Sequence, residues 1–244
     1  MMGKKATSYN SLYCFLLLLI FSSCASLRES PKYEFSSGIF KVTSTGSAAI
    51  RAYVDVEEDT LILSTVRDKG RYFNTDTASN IVIAVPEVQH SPVQHVYTFS
   101  KSSFDLDVLT IPFKYRPGTS GFPQQLTTTF QGAIYIGARK DIFRLKYRPT
   151  PVGDFHKSEN HFGYSVGFFS GLGATTMNEW VTQGATPYEY EGVVLLNGVA
   201  GIVGINNFTL GLAVGIDHLF DENRNDWIYQ HKPWVGLAVG LNLN

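Results

Sequence analysis

The sequence predicts an all-β protein, an antiparallel closed barrel of about eight strands preceded by a small β-rich module. Three observations support that fold class. Charged residues make up 17% of the 244 and aromatic residues 14%, with 22 glycines, whereas a soluble domain carries roughly 25% charge. Apolar residues alternate with period two along most of the chain and rarely recur at three-and-four spacing for a dozen residues. In several stretches the alternation sorts by size, with large apolar side chains on one face and Gly, Ala or Ser on the other. A hydrophobic content of 44% is enough for a core and excludes disorder over most of the length. The balance of 20 Lys+Arg against 21 Asp+Glu lacks the basic excess of a nucleic-acid binder.

Residues 1–23 read as a signal peptide. Lys4 and Lys5 precede an apolar run from Leu12 to Phe21 that is too short to span a bilayer as a helix. Ser22-Ser23 directly before Cys24 resembles a bacterial lipobox, although Phe21 stands where Leu, Val or Ile is usual. The resemblance implies that Cys24 is diacylated and heads the mature chain, with each buried CH₂ contributing ~0.8 kcal/mol to anchoring. An ordinary secretory signal is the competing reading. The other cysteine, Cys14, lies in the apolar run, so disulfides and cysteine zinc sites are not expected beyond Cys24. Residues 24–37 read as a linker.

Residues 38–90 read as a small module of antiparallel hairpins with strands 39–45, 50–56, 60–66 and 81–88. The second sets Ile50, Ala52, Val54 and Val56 against Arg51, Tyr53 and Asp55, one apolar face and one wet. Glu57-Glu58-Asp59 supplies a polar turn. Ser91-Pro92, within the aperiodic stretch His90–His95, marks the boundary. Residues 95–244 form the barrel, with strands expected at 96–100, 106–115, 126–138, 143–148, 162–172, 192–204, 208–217 and 234–243. Eight is the smallest usual count for a membrane barrel.

Phe162, Tyr164, Val166, Phe168 and Leu172 alternate with Gly163, Ser165, Gly167, Gly171 and Gly173, with Phe169 as the exception. Phe208, Leu210, Leu212, Val214 and Ile216 alternate with Thr209, Gly211, Ala213, Gly215 and Asp217; Val235, Leu237 and Val239 alternate with Gly236, Ala238 and Gly240. A soluble sandwich would carry Lys, Glu, Asp or Thr on its outward face. Glycine weakens a strand unless something must come close. A narrow barrel explains both features, because its interior holds only modest side chains while its exterior faces lipid. A spanning helix over Gly192–Ile216, with its small-xxx-small glycine spacing, is the competing reading. Gly204-Ile205-Asn206-Asn207 favours a hairpin there instead. Phe162, Tyr164, Phe208, Trp227, Tyr229 and Trp234 fall at or just before strand starts, where an aromatic girdle is expected.

The lipobox-like start, the stretch Phe104-Asp105-Leu106-Asp107-Val108-Leu109-Thr110-Ile111-Pro112-Phe113-Lys114-Tyr115 and the glycine-alternating tail resemble Bacteroidetes-type outer-membrane β-barrel proteins and lipoproteins of unassigned activity. The resemblance implies a membrane barrel, with no substrate and no catalytic residue. Cys24 is followed by Ala-Ser-Leu-Arg-Glu-Ser, without the acidic cluster of surface lipoproteins, which points to the inner leaflet of the outer membrane.

No nucleophile elbow, phosphate loop or metal-ligand spacing is present, so no catalytic residue, metal or cofactor is expected. Asp221, Asn223 and Asn225 copy the start of a calcium loop, but Asp226 and Lys232 replace its turn glycine and closing glutamate. Asp217 and His218, with Ser165 or Ser170, are the candidates for a hydrolytic set. Asp105, Asp107, Arg139 and Asp217, with Arg144 and Lys146, are expected as ion-paired groups inside the barrel or at its rim. The predicted function is that of a lipid-anchored outer-membrane barrel with a structural, interaction or narrow-transport role. Its expected partners are outer-membrane lipid and an envelope protein, without nucleic acid. A soluble lipid-tethered β-sandwich that binds a ligand or protein, and a barrel hydrolase acting on lipid, are the alternatives.

Overall fold

A computed structural model of the chain describes residues 35–69, 72–75, 80–91, 95–119, 121–205 and 208–242. The predicted signal peptide, Cys24 and most of the linker lie outside the described residues. Thirteen strands are described: β1 (Gly38–Ser44), β2 (Ile50–Glu57), β3 (Thr60–Lys69), β4 (Tyr72–Thr75), β5 (Ile81–Ala84), β6 (Val88–Gln89), β7 (Tyr97–Arg116), β8 (Gln125–Thr127), β9 (Gln131–Pro149), β10 (Phe155–Met177), β11 (Tyr190–Ile205), β12 (Phe208–Leu219) and β13 (Pro233–Asn242). All pairings are antiparallel, and the only helical element described is a 3-10 turn at Glu222–Asn225. The chain is all-β.

Six long strands pair in the order β7, β9, β10, β11, β12, β13, and β13 pairs back with β7. The pairing is uneven. The register between β10 and β11 runs from Phe162↔Ile205 to Met177↔Tyr190, whereas β12 meets β13 only from Gly211↔Ala238 to Ile216↔Pro233. The β13–β7 seam carries a register shift between Leu237 and Val239. On β7 the inward set changes from Asp105, Asp107, Leu109 and Ile111 to Lys114 and Arg116 across Pro112. Proline donates no ladder hydrogen bond and is tolerated at such a bulge.

The ring contains six strands where eight were expected. The segments read as 96–100 and 106–115 are one strand, β7, and most of 126–138 joins 143–148 in β9. Lys101-Ser102-Ser103 and Arg139-Lys140-Asp141 looked like breaks, yet they keep the period of two. Arg139 and Asp141 face the polar interior while Ser102 and Lys140 face outward, so hydrophobicity alone does not reveal the strand. Gly192–Ile216 forms two paired strands, β11 and β12, joined at Ile205↔Phe208, and not a helix.

At its other end the sheet widens. β1 pairs with the start of β7, β2 with β1, β3 with β2 and β5 with β3, while β6 pairs with the start of β10. The strands of residues 38–89 therefore continue the sheet of the long strands. They enclose an apolar core of Phe40, Val42, Ala52, Val54, Leu61, Leu63, Val85, Phe99, Phe143 and Leu145. Phe35 packs on Phe99 at 4.5 Å between ring centroids and on Phe40 at 5.3 Å.

Within the six-strand ring the core is Leu109, Ile111, Ala133, Tyr135, Phe169, Leu196, Ala200, Ile202, Ala213, Trp234 and Ala238. A third cluster, with Met177, Val181, Val194, Leu219, Trp227, Ile228 and Tyr229, closes the end away from β1–β3.

Candidate functional site

The period of two divides the ring into faces of opposite chemistry. On β10, Gly163, Ser165 and Gly167 face inward while Phe162, Tyr164, Val166 and Phe168 are exposed. On β12, Gly211, Ala213, Gly215 and Asp217 are buried, and Leu210, Leu212, Val214 and Ile216 are exposed. Phe168 keeps 73% of its surface, Leu212 65% and Ile134 59%, values uncommon for large hydrophobes on a soluble sheet.

The inward glycines make room for a few large side chains. A Cβ on Gly215 would stand 2.6 Å from Cζ2 of Trp234, and one on Gly198 would stand 2.6 Å from Cζ of Phe169. Tyr135, on β9, occupies the space beside Gly137. Trp234, Tyr135 and Lys114 are among the largest fully buried side chains, so the interior is packed.

Two polar clusters lie in that interior. In the first, the Asp217 carboxylate accepts from Lys114 Nζ at 2.8 and 2.9 Å, from Arg116 Nη2 at 2.6 Å and from Trp234 Nε1 at 2.8 Å. Lys114 Nζ also lies 4.3 Å from the centroid of the Trp234 ring. Arg116 donates through Nη1 to Thr127 Oγ1 at 2.7 Å and packs against Trp227 and Tyr229. Burial pushes the Tyr229 phenol above its ordinary pKa, opposed by the nearby Arg116 guanidinium.

In the second cluster, Arg139 Nε donates to Asp141 at 2.9 and 3.1 Å, and His161 Nε2 lies 2.8 Å from Asp141 Oδ1. The His161 ring stacks on Phe143 at 4.4 Å. Tyr135 Oη and Ser165 Oγ are 2.7 Å apart. Asp105 and Asp107, on β7, are buried opposite Gly137 and Tyr135 of β9. A carboxylate or cation in such a place needs a charged or hydrogen-bonding partner.

Asp105, Asp107, Arg139 and Asp217 are thus all buried. Lys114, Arg116, Asp141 and His161 belong with them and were missed by sequence reasoning. Lys114 and Arg116 were hidden because the Pro112 bulge inverts the alternation that would have marked them as inward. Arg144 and Lys146, expected within the barrel or at its rim, stand on the outer face. Phe162 and Tyr164 are exposed on the outer face, but Trp227, Tyr229 and Trp234 are buried. These three do not belong to an exposed girdle: Trp234 falls on the inward phase of β13, and the other two fold into the end cluster. The Phe208 side chain lies outside the described ones.

The residues weighed as a hydrolytic set are not brought together. Asp217 is inside the ring. His218 Nδ1 lies 2.8 Å from His231 Nε2, Ser165 bonds Tyr135, and Ser170 donates to Asn197 on the outer face. Asp221 caps the 3-10 turn by accepting from the Asn223 amide at 2.8 Å and takes a hydrogen bond from Tyr190 Oη at 2.6 Å. That is a turn-building role for the calcium-like residues. Among the described residues no group of three or more His, Cys, Asp or Glu side chains is placed to hold a metal.

No protein-family model matches the chain, and no curated protein or solved structure does so either.

Proposed function

We infer that the chain is a lipid-anchored outer-membrane β-barrel protein whose ring of long strands crosses the bilayer, with a structural or interaction role. The observation that carries this reading is the exposed apolar belt. Large hydrophobes occupy outward positions on all six strands, with Phe113 on β7, Ile134 and Ile136 on β9, Val166 and Phe168 on β10, Val199 and Val203 on β11, Leu212 and Val214 on β12, and Val235 on β13. Water would penalise such a surface, while lipid accepts it at no cost.

The dimensions agree. The outward row from Phe162 to Leu172 advances about 33 Å at ~3.3 Å per residue. At a tilt of about 45° it rises about 23 Å, against an apolar band of about 25 Å in membrane barrels. Six strands make a ring narrower than the usual minimum of eight. The packed interior of Trp234, Tyr135, Phe169 and Lys114 fits a solid staple better than a transport path. Anchoring through Cys24 follows from the lipobox-like start, and outer-membrane lipid is the partner of the belt.

Membrane fractions washed with carbonate and electrophoresed with and without boiling test this reading. Retention in the pellet and faster migration of the unboiled protein are expected. Release by carbonate without a heat shift would favour the soluble tethered sandwich. Cys24→Ala, followed by metabolic acyl labelling, should abolish the label while leaving the heat shift in place.

A further inference from the structure

The outward face of β9 changes chemistry along its length. Ile134, Ile136 and Ala138 lie within the belt, whereas the outward positions beyond them include Lys140, Arg144, Lys146 and Arg148. Lys140, Arg144 and Arg148 are exposed and Lys146 is half-buried. None of the cross-strand neighbours on this face is acidic, and His156 of β10 stands opposite Arg148. On β7, Ser102 stands opposite Lys140 and Thr98 opposite Arg144; on β10, Asn160 stands opposite Arg144 and Ser158 opposite Lys146. Among the described residues no carboxylate lies within ion-pair distance of these four cations. The chain as a whole is balanced at a net charge of -1, so the strip reflects local sorting of charge and not a basic composition.

The position of the strip matters as much as its charge. Lys140 stands directly opposite Tyr164, and Phe162 follows on the same face of β10. Aromatic side chains with an apolar body mark the level where hydrocarbon gives way to headgroups. Four like charges on one strand face repel one another and gain from an anionic partner. Resting on the membrane-spanning reading above, we propose that this strip binds the phosphate groups of anionic lipids in the leaflet that meets the wide end of the ring. Lys140 and Arg144 are the contacts, Lys146 and Arg148 stand further out along β9 and add attraction within about a Debye length of the headgroups, and Phe162 and Tyr164 sit at the hydrocarbon boundary.

The test uses the full chain in phosphatidylcholine vesicles doped with spin-labelled phosphatidylglycerol or spin-labelled phosphatidylcholine. The fraction of motionally restricted lipid is read by electron spin resonance. The expected result is a restricted fraction at least about twofold larger for the anionic label at low salt, falling toward parity near 1 M salt, where the Debye length is about 3 Å. The variant carrying Lys140→Gln, Arg144→Gln, Lys146→Gln and Arg148→Gln should show parity at low salt. Equal restriction of both labels by the unmodified protein would overturn the proposal while leaving the barrel reading intact. So would a preference that survives in the variant. Absence of a restricted component with either label would instead overturn the membrane reading itself. The salt series on the unmodified protein decides the matter if the variant does not fold.

Discussion

Lys114 of β7 and Asp217 of β12 are 103 residues apart in sequence and meet inside the ring, with Lys114 Nζ 2.8 and 2.9 Å from the two carboxylate oxygens. β13 lies between their strands, and the Lys114 side chain passes over the ring of its Trp234. The backbone pairing of β13 is short on one side and bulged on the other. The charged cluster therefore ties β7 to β12 where the ladder is thinnest. Removing Asp217 leaves Lys114 and Arg116 buried without their common anion, whereas removing Lys114 leaves Asp217 with Arg116 and Trp234. Asp217→Asn should destabilise the fold by about 3–5 kcal/mol, and Lys114→Met by less, about 1.5–3 kcal/mol. Urea unfolding midpoints of the two variants check the order. An equal loss for both would mean that Asp217 is not the hub.

Gly167 and Gly201 face opposite ways and should answer differently to one added methyl. A Cβ on Gly167 would fall against the Ile136 carbonyl oxygen on the neighbouring strand, backbone that has nowhere to go. Around Gly201 nothing lies within 4 Å of the added atom. Gly167→Ala should abolish the heat-shifted band or lower its conversion temperature markedly. Gly201→Ala should leave it unchanged or raise it slightly, since losing a glycine from a strand removes about 0.5–1 kcal/mol of entropic cost.

The contrast between these glycines shows which parts of the fold the sequence makes legible. The alternation of Leu210, Leu212, Val214 and Ile216 with Gly211, Ala213 and Gly215 is a local signal with period two, and it is enough to assign faces. What fills the space beside the glycines is not local. Trp234 and Phe169 enter it from other strands, so Trp234 looks like a girdle residue until its register with Gly215 is known. Strand count was obscured for a related reason. Arg139-Lys140-Asp141 interrupts the apolar pattern without interrupting the strand, because Arg139 and Asp141 find each other and His161 inside. The partners of Asp217 come from β7 and β13, and no sequence spacing announces them.

Arg139 is held through Asp141, which has a second partner in His161 at 2.8 Å. Arg139→Met should lower the temperature at which the folded band converts in detergent. The loss should be smaller than for Asp141→Asn, which removes the shared acceptor of both cluster members. Band conversion measured over a temperature series for the two variants supplies the comparison. No shift for Arg139→Met would remove the second cluster from the list of stabilising contacts.

The belt makes the most direct prediction, because its cost depends on what surrounds it. Leu212 is exposed near the middle of the outward row of β12, between Leu210 and Val214. In water, replacing an exposed leucine with arginine changes stability little, within about 0.5 kcal/mol. At the midplane of a bilayer, the same change costs about 2–4 kcal/mol, falling toward 0–1 near the interfaces. Leu212→Arg should therefore destabilise the protein in vesicles by about that larger amount. Lys140→Leu, at the proposed boundary, should cost little in the same vesicles. Reversible denaturant unfolding of both variants in vesicles gives the two values. A neutral Leu212→Arg would mean that the apolar belt faces something other than hydrocarbon.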